Sequence, residues 1–385
     1  MSSTEGREVP GAKPPKVAWF ATKGSGSNEA LRIGFLTGVL SNRVELPFDK
    51  TAKLASFFGL WKRIREERPA LVVMEGTGIA GGLVCMFVRG FLGIPFVFSS
   101  GDAVAPFLSA HHGWAGPLYA WYERLLCRMA SGFIGWTPYL TGRALAFGAR
   151  RAVTAPGWVI GGGAEVPADP RALRKSWGVP DGAIVVGMVG SLMWNHRYRW
   201  CYGMDLVLAA RKLARNDLVV VIVGGGSGLE RLEKAAGDAL GKTVFLPGPV
   251  PLSRVTEVLQ AMDVGSLPQS VDDVGGYRYT TKLPEYAACG LPVITNQIPM
   301  AYDIGLEWMW RLPGEAPWDG RYLHALDELL RELDGERIET KRSGIRDLKH
   351  LFDQEEQRRR VGAFLEDILD ASGRLHPGGR RDRHP

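Results

Sequence analysis

The chain has 385 residues, which is too long for one small core and predicts two domains. Hydrophobic residues make up 45% and charged residues 23% of it, values ordinary for a globular protein. The formal net charge of +6 is partly local, because the tail after Ala371 is rich in arginine. No basic stripe with interleaved aromatic residues accompanies this charge, which argues against a nucleic-acid partner.

The cysteines and the N-terminus bear on the compartment. Cys85, Cys127, Cys201 and Cys289 lie far apart and form no CxxC pair. This spacing argues against a zinc site or a disulfide framework and favours a reducing environment. The first residues, MSSTEGREVPGAKPPK, are polar and contain no apolar signal core. We therefore expect a cytoplasmic protein.

The first half of the chain reads as strands alternating with helices after a disordered segment, residues 1–15. The most apolar region, 71–98, is broken by Glu75, Arg89 and Pro95, so it predicts a buried strand–helix–strand and not a membrane span. Strands alternating with helices indicate a parallel α/β sheet. The predicted strands are 16–22, 71–74, 95–99 and 133–136, and the predicted helices are 29–40, one between 74 and 95, 119–129 and 139–147.

A segment rich in glycine and proline, residues 155–170, predicts an interdomain linker. Beyond it the alternation restarts. The predicted strands are 184–189, 218–223, 243–246, 264–267 and 292–295, and the predicted helices are 204–214, 229–240, 252–261, one within 280–290 and 353–370.

These elements predict five segments along the chain. The last helix has one apolar face, Val361, Phe364, Leu365, Ile368 and Leu369, at helical spacing. The segments are a disordered N-terminus at 1–15, a first α/β domain at 16–165, a second α/β domain at 166–350, a C-terminal helix at 351–372 and a disordered tail at 373–385.

The run TTKLPEYAACGLPVITN at 280–296 is the most informative part of the sequence. Thr280, Thr281 and Lys282 stand where its helix would begin, and Glu285 lies one turn inside. Hydroxyls and a cation at a helix N-terminus suit an anion. A carboxylate one turn further on can accept hydrogen bonds from a sugar diol. The run therefore predicts a site for a sugar nucleotide.

Four glycine-containing turns follow predicted strands. They are KGSGSN at 23–28, GMVGS at 187–191, GGGSG at 224–228 and FLPGPVP at 245–251. The first is not a GxGxxG motif, and each alone is also compatible with an ordinary strand exit. Ligands of open α/β sheets bind at the carboxyl ends of the strands. Several such turns in one sheet are therefore stronger evidence for a ligand site than any one of them alone.

Polar side chains near these turns are candidates for substrate contacts. His196, Arg197 and Arg199 could neutralise a diphosphate or belong to a solvated loop. Asp102 follows a predicted strand and could bind substrate or cap a helix. Asp272 and Asp273 precede a flexible stretch that could contact a sugar or be a mobile loop.

The 280–293 segment resembles the donor-site helix of GT-B glycosyltransferases, most nearly those of family 4. The order of the glycine turns before it also matches. The resemblance covers roughly residues 16–345 and is strongest from 184 to 296. It implies a GT-B fold with two Rossmann-like domains facing a central cleft. The domain at 16–165 would be the acceptor side, the domain at 166–350 would bind the donor, and the C-terminal helix at 351–372 would return toward the first domain.

The resemblance also implies roles for matching positions. Glu285 would hold the ribose hydroxyls, and Thr280 and Thr281 would hold the diphosphate. Gly248 and Val250 would flank the base. The predicted donor-binding set is Gly24, Ser25, Gly26, Gly190, Ser191, Arg199, Gly225, Gly248, Val250, Asp273, Tyr279, Thr280, Thr281 and Glu285, and the predicted catalytic set is Asp102, Arg197 and Lys282.

The sequence departs from the family pattern at two places. Family 4 usually carries a first glutamate eight residues before the second, and here that position is Tyr277, with Asp272 and Asp273 the nearest acids. The usual Arg and Lys after the first strand of the second domain are replaced, with Ser191 and Tyr202 near those places.

The resemblance implies a retaining, metal-independent hexosyltransferase without a cofactor. Its co-substrate would be a UDP-, GDP- or TDP-sugar, and its acceptor a small molecule, a glycan or a lipid-linked molecule. One alternative is a nucleotide-sugar 2-epimerase of GT-B fold, with Asp102, His111 and His112 as candidate acid–base groups. Another is a catalytically silent protein that binds a sugar nucleotide.

Two short segments leave membrane contact open. FFGLWKRIR at 57–65 and FVRGF at 87–91 mix apolar and basic residues. Ordinary packing explains both, and so does weak peripheral contact with the inner membrane face.

Overall fold

The computed structural model describes residues 14–109, 113–158, 169–213, 215–278, 280, 282–304, 307–345 and 349–373. The chain divides into two compact units. The first unit combines Met1–Pro156 with Gln354–Pro385, and the second is Gly157–Asp353. The predicted linker at 155–170 and the termini predicted to be disordered lie largely outside the described residues, and the predicted domain bounds remain predictions.

Each unit is built on one parallel sheet. The strands are β1 (Val17–Ala21), β2 (Arg43–Glu45), β3 (Leu71–Glu75), β4 (Phe96–Ser100), β5 (Gly132–Gly135), β6 (Ala152–Thr154), β7 (Ile184–Val189), β8 (Leu218–Val223), β9 (Val244–Gly248), β10 (Val264–Ser266), β11 (Val293–Asn296) and β12 (Met309–Leu312). In the described part of the chain both sheets have six strands, ordered β2-β1-β3-β4-β5-β6 and β12-β11-β10-β7-β8-β9.

Helices connect the strands throughout. The α-helices are α1 (Asn28–Leu36), α2 (Lys53–Glu67), α3 (Ile79–Leu92), α4 (Val104–Ser109), α5 (Gly116–Met129), α6 (Pro138–Ala146), α7 (Pro170–Trp177), α8 (Met204–Lys212), α9 (Leu229–Ala236), α10 (Val255–Gln260), α11 (Lys282–Ala288), α12 (Pro299–Asp303), α13 (Gly320–Glu332), α14 (Gly335–Ser343) and α15 (Gln354–Ala371). Short 3₁₀ turns cover Thr37–Val39, Gly113–Ala115, Gly237–Ala239, Leu252–Arg254, Gly275–Tyr277 and Lys349–Phe352.

The central strands are nearly continuous apolar runs. Every residue of β1, β3, β4 and β8 is buried. Strands of a parallel sheet covered by helices on both faces have no solvated side, so their sequences do not alternate. This pattern explains why the predicted strands 184–189 and 218–223 coincide with β7 and β8, and it confirms the predicted α/β fold with two Rossmann-like sheets.

Helix α15 follows the second unit in the chain but packs in the first unit. Val361 and Leu365 are fully buried, and Gly362 sits where a Cβ would lie 2.4 Å from Cγ2 of Val39. A Cβ on Gly132 of β5 would lie 2.6 Å from Ile368 of the same helix. The apolar face predicted from helical spacing is therefore the face that completes the core of the first unit.

The structure also contains elements that the sequence did not indicate. The three-residue strands β2 and β6 are too short to show a pattern, and each lies at an edge of its sheet. Helices α13 and α14 follow a region of mixed polarity. No helix in the described part of the chain is long and apolar enough to span a membrane.

Candidate functional site

Helix α11 begins after Thr280, whose side chain helps to start it. The Thr280 hydroxyl accepts a hydrogen bond from the Lys282 amide at 3.3 Å, and its carbonyl accepts one from Leu283 at 3.1 Å. Thr281 and Tyr279 lie outside the described residues. The helix has seven residues, so its dipole is small, and the side chain of Lys282 carries the formal positive charge at this end.

Tyr286 fixes the orientation of α11 on the sheet. Its side chain is fully buried, and its hydroxyl donates a hydrogen bond to the Ser266 carbonyl at 3.1 Å. Its ring lies over Gly265 of β10, where a Cβ would come within 2.9 Å of the ring atoms. This packing holds the neighbouring residue, Glu285, in a defined place.

Lys282 lies against the turn that follows β7. A Cβ on Gly190 would lie 2.7 Å from Cε and 2.9 Å from Nζ of Lys282, so the side chain passes directly over this glycine. Its Nζ is also 5.9 Å from the centre of the Tyr202 ring. Burial lowers the pKa of Lys282, Glu285 acts against this, and Arg278 lowers the pKa further.

Glu285 is partly buried one turn further along α11. Burial raises the pKa of its carboxyl group to about 7, while the Lys282 ammonium acts in the opposite direction. A carboxyl group with such a pKa is only partly ionised at neutral pH. Any group that donates hydrogen bonds to the ionised form will lower this pKa on binding.

The glycine turns after β7 and β8 interlock. The Gly190 amide donates to the Val223 carbonyl at 2.9 Å, and the Leu192 amide donates to Gly225 at 3.0 Å. A Cβ on Gly224 would come within 1.9 Å of the Gly190 carbonyl oxygen, so a side chain has no room at that position. Among the described residues, the amide of Ser191 has no hydrogen-bond partner.

The turn after β9 joins the same edge of the sheet. The Gly224 amide donates to the Gly248 carbonyl at 3.0 Å, which connects the turns after β8 and β9. Val250 lines a cavity of about 630 Å³ along the outer strand β9 together with Phe245 and Trp177. Lys282, Glu285 and Gly190 do not line that cavity, so it is separate from the cluster around α11.

His196, Arg197 and Arg199 occupy an exposed tight turn. Asn195 and Trp200 pair as an antiparallel bridge at its base, and the Asn195 side chain accepts hydrogen bonds from the amides of Arg197 and Tyr198. Arg199 has a φ of 53°, in the left-handed region. The Tyr198 ring stacks on Trp318 at 4.3 Å. The diphosphate role of these cations remains a prediction.

The two aspartates after β10 are both exposed, and one of them accepts backbone hydrogen bonds. Asp272 Oδ1 accepts hydrogen bonds from the amides of Val274 and Gly275 at 2.9 and 2.8 Å, and so holds the turn together. Asp273 is exposed to solvent. Tyr277, at the place of the expected first glutamate, ends the 3₁₀ turn that follows.

In the first unit the predicted residues lie at the carboxyl ends of β1 and β4. Gly24 and Gly26 have φ of 99° and 79°, and the Ser27 side chain caps α1 by accepting from the Ala30 amide at 3.2 Å. Asp102 follows β4, and its amide donates to the Ser100 hydroxyl at 3.1 Å. His111 and His112 lie outside the described residues.

Two family models match consecutive parts of the chain. Residues 26–158 match the Glycosyl transferase 4-like domain, and residues 158–306 match Glycosyl transferases group 1. The chain belongs to the GT-B glycosyltransferases. This confirms the predicted family, with the 4-like model over the first half of the chain and the group 1 model over the second.

Solved structures share the fold of this glycosyltransferase at low sequence identity. Anabaena HepE in complex with UDP and glucose is 15% identical with a TM-score of 0.67, covering 92% of this chain and 100% of that one. Sucrose-phosphate synthase from Thermosynechococcus elongatus is 14% identical with a TM-score of 0.70, covering 93% and 100%. The lipopolysaccharide outer core galactosyltransferase WaaB is 13% identical with a TM-score of 0.61, covering 92% and 99%. Among curated proteins, no significant match was found.

Sequence reasoning missed a cluster of polar residues in the sheet of the second unit. Ser266, Gln269 and Asn296 are buried where β10 and β11 end, and the Gln269 amide donates to Asn296 Oδ1 at 2.9 Å. Among the described residues, Ser266 Oγ, Gln269 Oε1 and Asn296 Nδ2 have no hydrogen-bond partner. The sequence does indicate these residues, because they are polar and lie at or just after the ends of buried strands, as the glycine turns do.

A second missed group is the buried ion pair of the first unit. Glu75 ends β3, and its carboxylate accepts from Arg32 Nη1 at 2.7 Å and from Trp136 Nε1 at 3.1 Å. Arg32 also donates to the Ala155 carbonyl at 2.6 Å, which joins α1 to the residue that follows β6. Burial raises the pKa of Glu75, and the Arg32 cation acts against this. The same strand-end argument that selected Asp102 would have found Glu75.

Proposed function

We propose that this glycosyltransferase transfers a hexosyl group from a nucleoside-diphosphate sugar to an acceptor hydroxyl, with retention of configuration and without a metal ion. The observation that carries the proposal is the cluster at α11. There, the Lys282 ammonium lies over Gly190, and Glu285 lies one turn further along the same helix. A cation and a carboxylate at this spacing suit a diphosphate and a ribose diol.

Glu285 would bind the ribose. Its carboxyl group is partly protonated at neutral pH, because burial raises its pKa to about 7. Two ribose hydroxyls donating to it would favour the ionised form and would replace the water that burial removes. Binding of the nucleotide would therefore shift the Glu285 carboxyl group toward its ionised form.

Lys282 and the interlocked glycine turns would bind the diphosphate. Burial destabilises the cation of Lys282 and so lowers its pKa. A diphosphate would offset this effect, because an anion close to an ammonium favours the protonated form. The amide of Ser191, without a partner among the described residues, supports a contact with a phosphate oxygen.

The same groups would stabilise the leaving group. In the proposed step, the bond between the anomeric carbon and the β-phosphate oxygen breaks. The acceptor oxygen then bonds to that carbon on the same face. The acceptor proton passes to the departing phosphate, so the step requires no base from the protein. Stabilising the charge of the leaving diphosphate is the contribution that Lys282 can make.

UDP-sugars are the donors to test first. The similarly folded Anabaena HepE was solved with UDP and glucose and also with UDP-glucose. Gly248 and Val250 would flank the base, Asp273 would approach the sugar, and Gly24, Ser25 and Gly26 would approach the phosphates. Asp102, Arg197 and Arg199 keep their proposed roles in binding or catalysis.

A cytoplasmic location is part of the same proposal. It is supported by the four cysteines, which are all free thiols.

The proposal is tested by following nucleotide release from a panel of UDP-, GDP- and TDP-sugars with and without candidate acceptors. Acceptor-dependent release is the expected result, and the anomeric configuration of the product tests retention. A sugar epimer formed without acceptor indicates the 2-epimerase, and tight nucleotide binding without either reaction indicates a silent binding protein. Either of those results overturns the proposal. Repeating the assay with a chelator tests metal independence.

A further inference from the structure

Helices α2 and α3 of the first unit present large apolar side chains to solvent. Leu54 and Phe58 are 78% and 65% exposed on α2, and Phe87 and Phe91 are 42% and 72% exposed on α3. Within each helix they are four residues apart, so they lie on one face. We call Leu54, Phe58, Phe87 and Phe91 the aromatic face.

The aromatic face is continuous across the two helices. Phe57 lies between them, with ring centres 5.3 Å from Phe58 and 5.8 Å from Phe87. Phe87 and Phe91 stack at 5.7 Å, and the Phe91 ring is 6.3 Å from Trp61. The exposed rings therefore form one surface and are not isolated apolar residues of the kind that every protein exposes.

Packing of the first unit does not require this face. The core sides of α2 and α3 are already filled by other residues. Leu60 and Ile64 of α2 are 1% and 0% exposed, and Val84 and Val88 of α3 are both 0% exposed. Contacts of Phe57 with Phe87 and of Trp61 with Phe91 pack α2 against α3. They leave Phe58 and Phe91 65% and 72% exposed, and packing within the first unit does not explain that exposure.

Basic side chains accompany the aromatic face. Helix α2 carries Lys53, Lys62, Arg63 and Arg65, all exposed, and α3 carries Arg89 with no acidic residue. The acidic residues of α2 are Glu66 and Glu67 at its C-terminal end. Glu67 accepts a hydrogen bond from Lys16 at 2.7 Å, which compensates its charge. The surface around the rings is therefore positive as well as apolar.

We propose that the aromatic face and its basic neighbours dock the first unit on an anionic membrane surface. Exposed aromatic residues beside lysine and arginine fit the interfacial zone, where rings enter the headgroup region and cations meet anionic lipids. A second protein with an acidic, apolar surface would need a matching shape, whereas a fluid bilayer adapts to an exposed apolar and basic face. The docking does not depend on the proposed transfer reaction.

The test is co-sedimentation of the full chain with vesicles of phosphatidylcholine, alone or mixed with phosphatidylglycerol. We expect binding to the anionic vesicles and at least tenfold weaker binding to pure phosphatidylcholine. The Phe58→Ser/Phe91→Ser variant should bind anionic vesicles at least tenfold more weakly than wild type. The matched control is Leu145→Ser, which alters a 46% exposed apolar residue of α6.

The charge is tested separately. The Lys62→Gln/Arg63→Gln/Arg65→Gln variant should bind more weakly and should show a smaller loss of binding when salt is raised. A chain ending at Gly373 removes the arginines of the tail and should still bind. Thermal unfolding should show that all variants stay folded, since the altered side chains are exposed.

Three results overturn the proposal. The first is that wild type does not bind anionic vesicles at low salt. The second is that binding survives the Phe58→Ser/Phe91→Ser change but is lost with the tail. The third is that the aromatic face mediates self-association in solution, measured by sedimentation velocity, while vesicles remain unbound. Donor hydrolysis and transfer are measured in parallel, so a failure of the proposed reaction is distinguishable from a failure of docking.

Discussion

Glu285 and Lys282 illustrate how burial controls charge at the scale of single residues. Burial acts against both charged forms, so the carboxyl pKa rises to about 7 and the ammonium pKa falls, and each group partly compensates the other. Burial therefore disfavours both ions in the empty site, and the Glu285 carboxyl group is only partly ionised at neutral pH. A diphosphate next to the ammonium and a diol next to the carboxyl group would each favour the ionised form.

The first prediction concerns Glu285 and pH. We expect the affinity for a UDP-sugar to rise as pH increases through about 7, because the ionised carboxylate accepts the ribose hydroxyls. Glu285→Ala should weaken binding at least tenfold at pH 8, in line with about 1.5–3 kcal/mol for a hydrogen bond to a charged group. Glu285→Gln should remove the pH dependence. Isothermal titration calorimetry measures both effects, and UDP-sugars suit the experiment because their phosphates do not titrate in this range.

The same pKa predicts the stability of the empty protein. A carboxyl group whose folded pKa lies above its ordinary value stabilises the fold at low pH, and this contribution is lost as pH rises through about 7. Denaturant unfolding should show wild type losing up to about 3 kcal/mol relative to Glu285→Gln between pH 4.5 and 8. Equal pH dependence in the two proteins contradicts the burial argument, and unchanged affinity in Glu285→Ala contradicts the ribose assignment.

The second prediction concerns Gly190. A Cβ there meets the flexible end of Lys282 at 2.7 Å, so Gly190→Ala should displace the ammonium with little effect on the backbone. We expect kcat to fall about 10²-fold, near the lower end of the loss for a removed transition-state contact. The free energy of unfolding should change by less than about 1 kcal/mol, as for a tolerated substitution. Gly335→Ala is the control, since no described atom lies within 4 Å of its Cβ position and it lies outside the predicted site. A large loss of stability in Gly190→Ala contradicts this account.

At the scale of elements, the site depends on three turns that fit together. The turns after β7, β8 and β9 exchange backbone hydrogen bonds through Gly190, Gly224 and Gly248. Each turn alone is an ordinary strand exit. Their mutual contacts bring the carboxyl ends of the three strands together, and glycine is needed where two backbones meet.

The third prediction tests this interlocking. A Cβ at Gly224 lies 1.9 Å from the Gly190 carbonyl oxygen, and a backbone atom cannot move away as a side-chain end can. Gly224→Ala should therefore cost more than about 3 kcal/mol, the range of severe overpacking. Urea unfolding measures the loss, and hydrogen exchange should locate it at 187–192 and 220–228. A cost below about 1 kcal/mol would show that the turns are not in contact.

At the scale of the whole molecule, the first unit is assembled from both ends of the chain. Helix α15 supplies Val361, Leu365 and Ile368 to a core whose strands come from residues 17–154. The second unit is therefore inserted between two parts of the first. The core of the first unit cannot be complete until the last helix has been made.

The fourth prediction concerns α15. Leu365→Ala removes a fully buried side chain and should destabilise the first unit by about 2–5 kcal/mol. Hydrogen exchange should increase in β1, β3 and β4 and stay unchanged in β7 and β8. Glu366→Ala changes an exposed neighbour on the same helix and should have no such effect. Loss of protection in both units would mean that α15 does not belong to the first unit alone.

The sequence by itself determined the fold class and the central elements. Buried parallel strands are continuous apolar runs, which is why 184–189 and 218–223 were predicted without error, and why the helical spacing of Val361, Leu365 and Ile368 identified a core face. The short edge strands β2 and β6 could not be predicted, because three residues carry no pattern and their pairing comes from neighbours far away in the chain. The motif at 280–296 also identified the family, which the family models confirm.

Only the tertiary structure decided which polar groups meet. It placed Lys282 on Gly190, 92 residues earlier in the chain, and it paired Glu75 with Arg32 across the first unit. It also showed which apolar residues of α2 and α3 are buried and which form the exposed aromatic face. Composition alone does not distinguish the two sets. The physical reason is that spacing along the chain encodes which face of an element is apolar. Burial, pKa and contact depend on distances between elements, which exist only in the folded molecule.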